Sequence, residues 1–112
     1  MKNSQVLRKA LAQFGEEGER WSQGDGTFAD FRPTNEDPCA WLALNEATRG
    51  IGWSDECAVA SILAAELGVQ SNDYFIIAPQ IVEWNDDPHT TFEDVRLVFK
   101  RAIARAEELE AS

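Results

Sequence analysis

The sequence predicts an all-α fold: a compact single domain over residues 1–112, built from four to five short helices, with one long loop that has room for a short hairpin. Apolar residues recur at helical spacing in separate segments. Helix start and stop signals bracket those segments. At 112 residues and 12.5 kDa the chain has room for one core, since compact domains run to about 100–150 residues. An apolar share of 44% with 27% charged residues matches folded chains, not the apolar-poor composition of disordered ones.

Val6, Leu7, Ala10, Leu11 and Phe14 mark a first amphipathic helix over about 5–14, with Ser4 as its cap and Gly15 and Gly18 loosening any continuation towards Trp21. Residues 22–37, rich in Gly, Asp, Asn and Pro, read as the long loop, with Phe28 and Phe31 folding back on the core. Asp37-Pro38 is a helix-entry pair, because the carboxylate accepts an early backbone N–H and proline at the first position loses no needed donor. The second helix then runs from Pro38 to Arg49 and stops at Gly50. Ser54-Asp55-Glu56 opens a third helix with acids that complement the dipole, and Val59, Ile62, Leu63 and Leu67 carry it to Gly68. Tyr74 to Ala78 is too short to classify by period, and Pro79 either opens a short helix through Trp84 or breaks a strand; the helix is preferred. Thr91 to Asp94 resembles a capping box with Asp in place of Glu, ahead of the cleanest stripe in the chain: Val95, Val98, Phe99, Ala102, Ile103, Ala106 and Leu109. The first and last helices are expected to pack near each other.

Twenty acidic against ten basic residues give a net charge of -10, which argues against binding nucleic acid through its phosphates and against anionic membrane surfaces. A basic protein is the expected partner. Charge is uneven: residues 1–11 hold three bases and no acid, whereas 21–95 hold fourteen acids against Arg32 and Arg49, so the terminal helices are the basic elements. The N-terminus lacks the continuous apolar stretch of a secretory signal or membrane span, and a cytoplasmic address is expected. Two cysteines, Cys39 and Cys57, are too few for a disulfide scaffold and read as small buried thiols.

Three fragments resemble an uncharacterised family of small bacterial and phage proteins known only as a domain of unknown function. They are Leu7-Arg8-Lys9-Ala10 leading to Trp21-Ser22-Gln23-Gly24, Pro38-Cys39-Ala40-Trp41 entering an Ala-rich helix, and Trp84-Asn85-Asp86 followed by Thr91, Val95 and Ala102-Ile103. The likeness spans about residues 6–106 and implies no activity. The chain departs from the pattern at Ser22, where the resemblance implies a Cys in many relatives, so no cysteine chemistry is carried over.

The polar run Trp84-Asn85-Asp86-Asp87-Pro88-His89-Thr90-Thr91 is the first place to look for chemistry. Its bland explanation is structural: Asn85 ends a helix in a left-handed conformation, Asp86 or Asp87 caps the next turn, and Trp84 plugs the core. The sharper alternative is a small enzyme or metal-binding protein in which Asp86, Asp87 and His89 hold a divalent cation or do acid–base work, with Cys39 as helper. The spacing matches no calcium loop and no glycine-rich elbow accompanies the thiols, so neither a metal, a cofactor nor a catalytic residue is assigned. Four tryptophans with Phe28, Phe31, Tyr74 and Phe75 exceed what a small helical core requires. The bland explanation is that the indoles fill a small irregular core while their N–H groups reach loop carbonyls; the alternative is an exposed aromatic patch with an acidic rim, near Trp21, Phe28 and Phe31, that binds a basic partner protein. The preferred function is a non-catalytic interaction or regulatory module using the 22–37 loop and the acidic surface. A DNA-mimic inhibitor of a nucleic-acid-binding protein is a further alternative, opposed by acids scattered as singles and doublets.

Overall fold

The computed structural model describes residues 2–23 and 38–112. The expected loop centre, its short hairpin, Phe28, Phe31 and the Asp37 cap lie outside the described residues. Within them the chain forms five helices and no strand: α1 (Asn3–Ala12), α2 (Ala40–Ala47), α3 (Trp53–Ala65), α4 (Tyr74–Asp86) and α5 (Phe92–Ala111). This is an all-α domain. None of the described helices is long and apolar enough to cross a membrane.

The first and last helices pack together most extensively, as their amphipathic stripes require. Val6, Leu7, Ala10 and Phe14 meet Val95, Phe99, Ala102 and Ile103 in one buried cluster, with the Phe14 ring edge-on to Phe92 and Phe99 at centroid distances of 5.9 and 5.8 Å. The two helices run antiparallel. Arg8 pairs with Glu107 at 2.8 Å, and Glu110 accepts from both the backbone N–H and the hydroxyl of Ser4 at 3.0 and 2.7 Å. Ser4 is thus no cap. It lies inside α1 as a buried donor, and a carboxylate from α5 takes its own orphan amide at the start of α1.

The chain leaves α1 through Gly15 and Gly18, both at positive φ. Gly18 cannot be replaced freely, because a Cβ there would overlap the Phe92 ring. α2 begins two residues later than the Asp37-Pro38 pair suggests. Cys39 is the residue at the cap, with its sulfur accepting from Leu42 N–H at 3.4 Å. α3 begins at Trp53 after Gly52, with Asp55 and Glu56 in the first turn. Thr91 and Asp94 form the reciprocal box that opens α5.

The largest difference from the sequence reading is α4, in which the ambiguous run from Tyr74 and the segment through Trp84 are one helix with Pro79 inside it. An internal proline costs about 3 kcal/mol or more, since it has no N–H for the carbonyl four residues back. Burial offsets it. Ile77, Ala78, Ile81 and Val82 turn one face of α4 into the core, Pro79 is exposed, and the Asp73 side chain caps the first turn through Phe75 N–H at 2.9 Å.

Candidate functional site

Two features stand out: a saturated polar knot beneath Trp21 and an exposed aromatic patch at the starts of α3 and α4. The knot centres on Asn85, which is 0% exposed. Its Oδ1 accepts from the indole N–H of Trp21 at 2.7 Å and the backbone N–H of Ala40 at 2.9 Å. Its Nδ2 donates to the Ser22 carbonyl at 3.0 Å and to Asp86 Oδ1 at 2.9 Å. Both Oδ1 partners are pure donors and both Nδ2 partners pure acceptors, so the amide has one workable orientation and every hydrogen-bonding position is used.

Neighbouring groups extend the knot. Gln23 Nε2 reaches the carbonyls of Asn85, Asp87 and Thr90 at 2.9, 2.8 and 3.2 Å, and Thr90 donates its hydroxyl to the Trp84 carbonyl at 2.8 Å. Ser22 N–H donates to the Pro38 carbonyl at 3.1 Å, which closes the neck between residues 22 and 38. The three fragments that carried the family resemblance, Trp21-Ser22-Gln23, Pro38-Cys39-Ala40 and Trp84-Asn85-Asp86, thereby meet at one side chain. Asn85 does not end α4 in a left-handed conformation. It lies within the helix, points inward, and no non-glycine residue has positive φ among those described.

The other polar residues of this loop diverge. Asp86 faces Asn85, whereas Asp87 accepts from His89 N–H at 2.8 Å and lies 3.2 Å from its Nδ1. The His89 ring is 95% exposed, and the backbone bond from His89 holds the Asp87 carboxyl below its ordinary range. Among the described residues no three His, Cys, Asp or Glu side chains gather to hold a metal ion. Burial, reinforced by the Asp86 carboxylate, pushes the Cys39 thiol up; desolvation and the carboxylates of Glu56 and Asp73 do the same to Cys57. Both thiols are held away from the thiolate form that nucleophilic chemistry needs. Trp21 is half-buried, with its N–H committed to Asn85 and its ring tilted against Phe92 at 6.1 Å. Trp84 is half-buried against the core.

The patch has the opposite character. Trp53 is 56% exposed, Phe75 77% and Ile76 49%. The Tyr74 ring joins them, 4.7 Å from Trp53 and 6.0 Å from Phe75, and reaches inward to the buried Trp41 at 5.0 Å. The Tyr74 hydroxyl is anchored to Asn45 Oδ1 at 2.9 Å and Glu56 Oε1 at 3.3 Å. Burial and the Glu56 carboxylate push that phenol far above its ordinary value, so it stays protonated as a donor. Asp55 and Glu56 in the first turn of α3 and Asp73 at the cap of α4 supply carboxylates beside the aromatic rings. An aromatic surface with an acidic rim is present, in a place the sequence reading did not assign. One signal pointed to it: if 74–78 begins a helix, Tyr74, Ile77 and Ala78 share the core face with Ile81 and Val82, which leaves Phe75 and Ile76 outward.

Residues 1–105 match the model of a family of unknown function, DUF6197. The chain belongs to that family. Nothing among the curated proteins and nothing among the solved structures matches it.

Proposed function

We propose that this DUF6197 member is a non-catalytic interaction module, and that it engages a basic protein through the patch formed by Trp53, Tyr74, Phe75 and Ile76. The observation that carries the reading is the exposure of three large contiguous apolar side chains beside the carboxylates of Asp55, Glu56 and Asp73. Large aromatic side chains in water, rimmed by charge of one sign, are the composition of an interface centre rather than of an ordinary monomer surface. Phe75 and Ile76 add nothing to the core. Tyr74 is a rigid floor, since its ring is packed and its one hydroxyl proton is shared between Asn45 Oδ1 and Glu56 Oε1.

Chemistry at the Asp86, Asp87 and His89 loop draws less support, because its carboxylates serve Asn85 and the backbone of His89 and do not converge. A DNA-mimic role also draws less support, because Arg8 on α1 and Arg96 and Lys100 on α5 gather with Arg20 on one side of the molecule. The deciding experiment compares proteins captured from the source organism by the wild-type chain and by a Trp53→Ser, Phe75→Ser variant, at low and high salt. A basic protein held by the wild type, lost at high salt and lost by the folded variant is expected. Identical captures by the two baits would overturn the reading.

A further inference from the structure

We infer that the trough between α1 and α5 is a second docking site, and that its occupant is an acidic amphipathic helix of a partner protein. Two adjoining hollows of about 460 and 570 Å³ share Leu11, Ala12 and Lys100 and so form one open channel along the helix pair. Ile103 and Ala104 continue the floor towards Glu107, and Gly15 and Phe92 continue it the other way. From Arg96 to Glu107 the wall advances about 16 Å at 1.5 Å per residue, the length of three helical turns. A channel of that length between two antiparallel helices, with an apolar floor, fits the nonpolar face of a third helix.

Charge selects which helix. The walls carry Arg8, Arg20, Arg96 and Lys100 against Glu16 and Glu107, a positive surface on a chain of net charge -10. Two of these cations are already matched by carboxylates: Arg8 by Glu107, and Arg96 by Glu93, with its guanidinium also over the Phe92 ring at 5.1 Å. Arg20 donates to the carbonyls of Gln13 and Ala12 and lies beside the Glu19 carboxylate, whereas Lys100 has no ion pair among the described residues. The unpaired Lys100 ammonium, in the middle of the trough and common to both hollows, is where a partner's carboxylate would sit. The trough shares no residue with the Trp53 patch and has the opposite sign, so it does not depend on the function proposed above.

The test uses the full chain labelled with ¹⁵N and two 15-residue probe peptides. Both have Leu at positions i, i+3, i+4 and i+7; one is flanked by Glu, the other by Lys. The Glu peptide is expected to shift the amides of Leu11, Ala12, Lys100 and Ala104. Its affinity should fall at least tenfold in Lys100→Glu, in Ala104→Phe, which fills the floor without changing charge, and on raising salt. Retained amide dispersion in each variant shows that the fold is intact. No shifts at millimolar peptide, shifts confined to Trp53–Ile76, equal binding of the Lys peptide, or affinity unchanged in both variants would each overturn the inference. So would concentration-dependent shifts at the trough without peptide, which would make a second copy its occupant.

Discussion

At Asn85 every polar position has a partner and water is shut out, whereas at Trp53 and Phe75 large rings stand in solvent with nothing across from them among the described residues. The two regions are built from similar residue types and do different work. The knot joins stretches of chain more than forty residues apart and so fixes how the elements meet. It spends its donors and acceptors internally and offers a ligand nothing. The patch lies at the starts of two helices, is rooted on α2 only through Tyr74, and leaves its apolar area unburied. Residues that look like a motif can therefore be the framework, while the surface available to a partner lies elsewhere.

That contrast breaks most sharply at Asn85. Replacing it with Ala strands the Trp21 and Ala40 N–H groups in a dry site, and each buried unsatisfied group costs about 1–3 kcal/mol. A loss near 3 kcal/mol is expected, read as a drop of about 10 °C or more in the melting temperature. Asn85→Asp should fare no better, since it exchanges a donor for an acceptor facing the Ser22 carbonyl and Asp86. The next effect is expected at Gly18. Alanine there must hold a positive φ and displace the Phe92 ring that backs Trp21, at a cost of about 2 kcal/mol by denaturant unfolding. Thr91→Ala removes half of the box at the start of α5 and should cost about 1 kcal/mol by the same measurement.

At the patch the expectation reverses. Trp53→Ser with Phe75→Ser should change stability by less than about 1 kcal/mol, because both rings are mostly exposed, while abolishing capture of the basic partner. A large stability loss would mean that the patch belongs to the framework.

The smallest effect concerns acid. The bonds from Ser4 hold the folded Glu110 carboxyl below its ordinary value. Its stabilising contribution is therefore present above the unfolded carboxyl value and disappears as pH falls through the folded one. Protection of the amides at the start of α1, their exchange rate relative to that of an unfolded chain at the same pH, should fall over that acidic window, and Glu110→Gln should remove that fall.

What the sequence disclosed depended on range. The capping box of α5, the acids in the first turn of α3 and the α1 stripe are local patterns, legible because their partners lie within four residues. The four bonds of Asn85 connect it to positions 21, 22, 40 and 86, and only the last is near enough for turn chemistry to suggest it. The same holds for the start of α1, where Ser4 looks like a cap and Glu110, far along the chain, takes the Ser4 amide. In α4 the proline signal opposed the apolar run, and tertiary burial decided between them.

Pro79 carries one more consequence. Lacking an N–H, it cannot bond the carbonyl of Phe75 four residues back, so the helical ladder is missing a rung just after the turn that displays Phe75 and Ile76. That turn is tied down by the Asp73 cap and by Tyr74. Its amides should exchange with solvent through local opening, faster than those of Ile81 and Val82 later in the same helix. A bound partner would slow that exchange, turning the missing rung into a reporter of when the patch is covered.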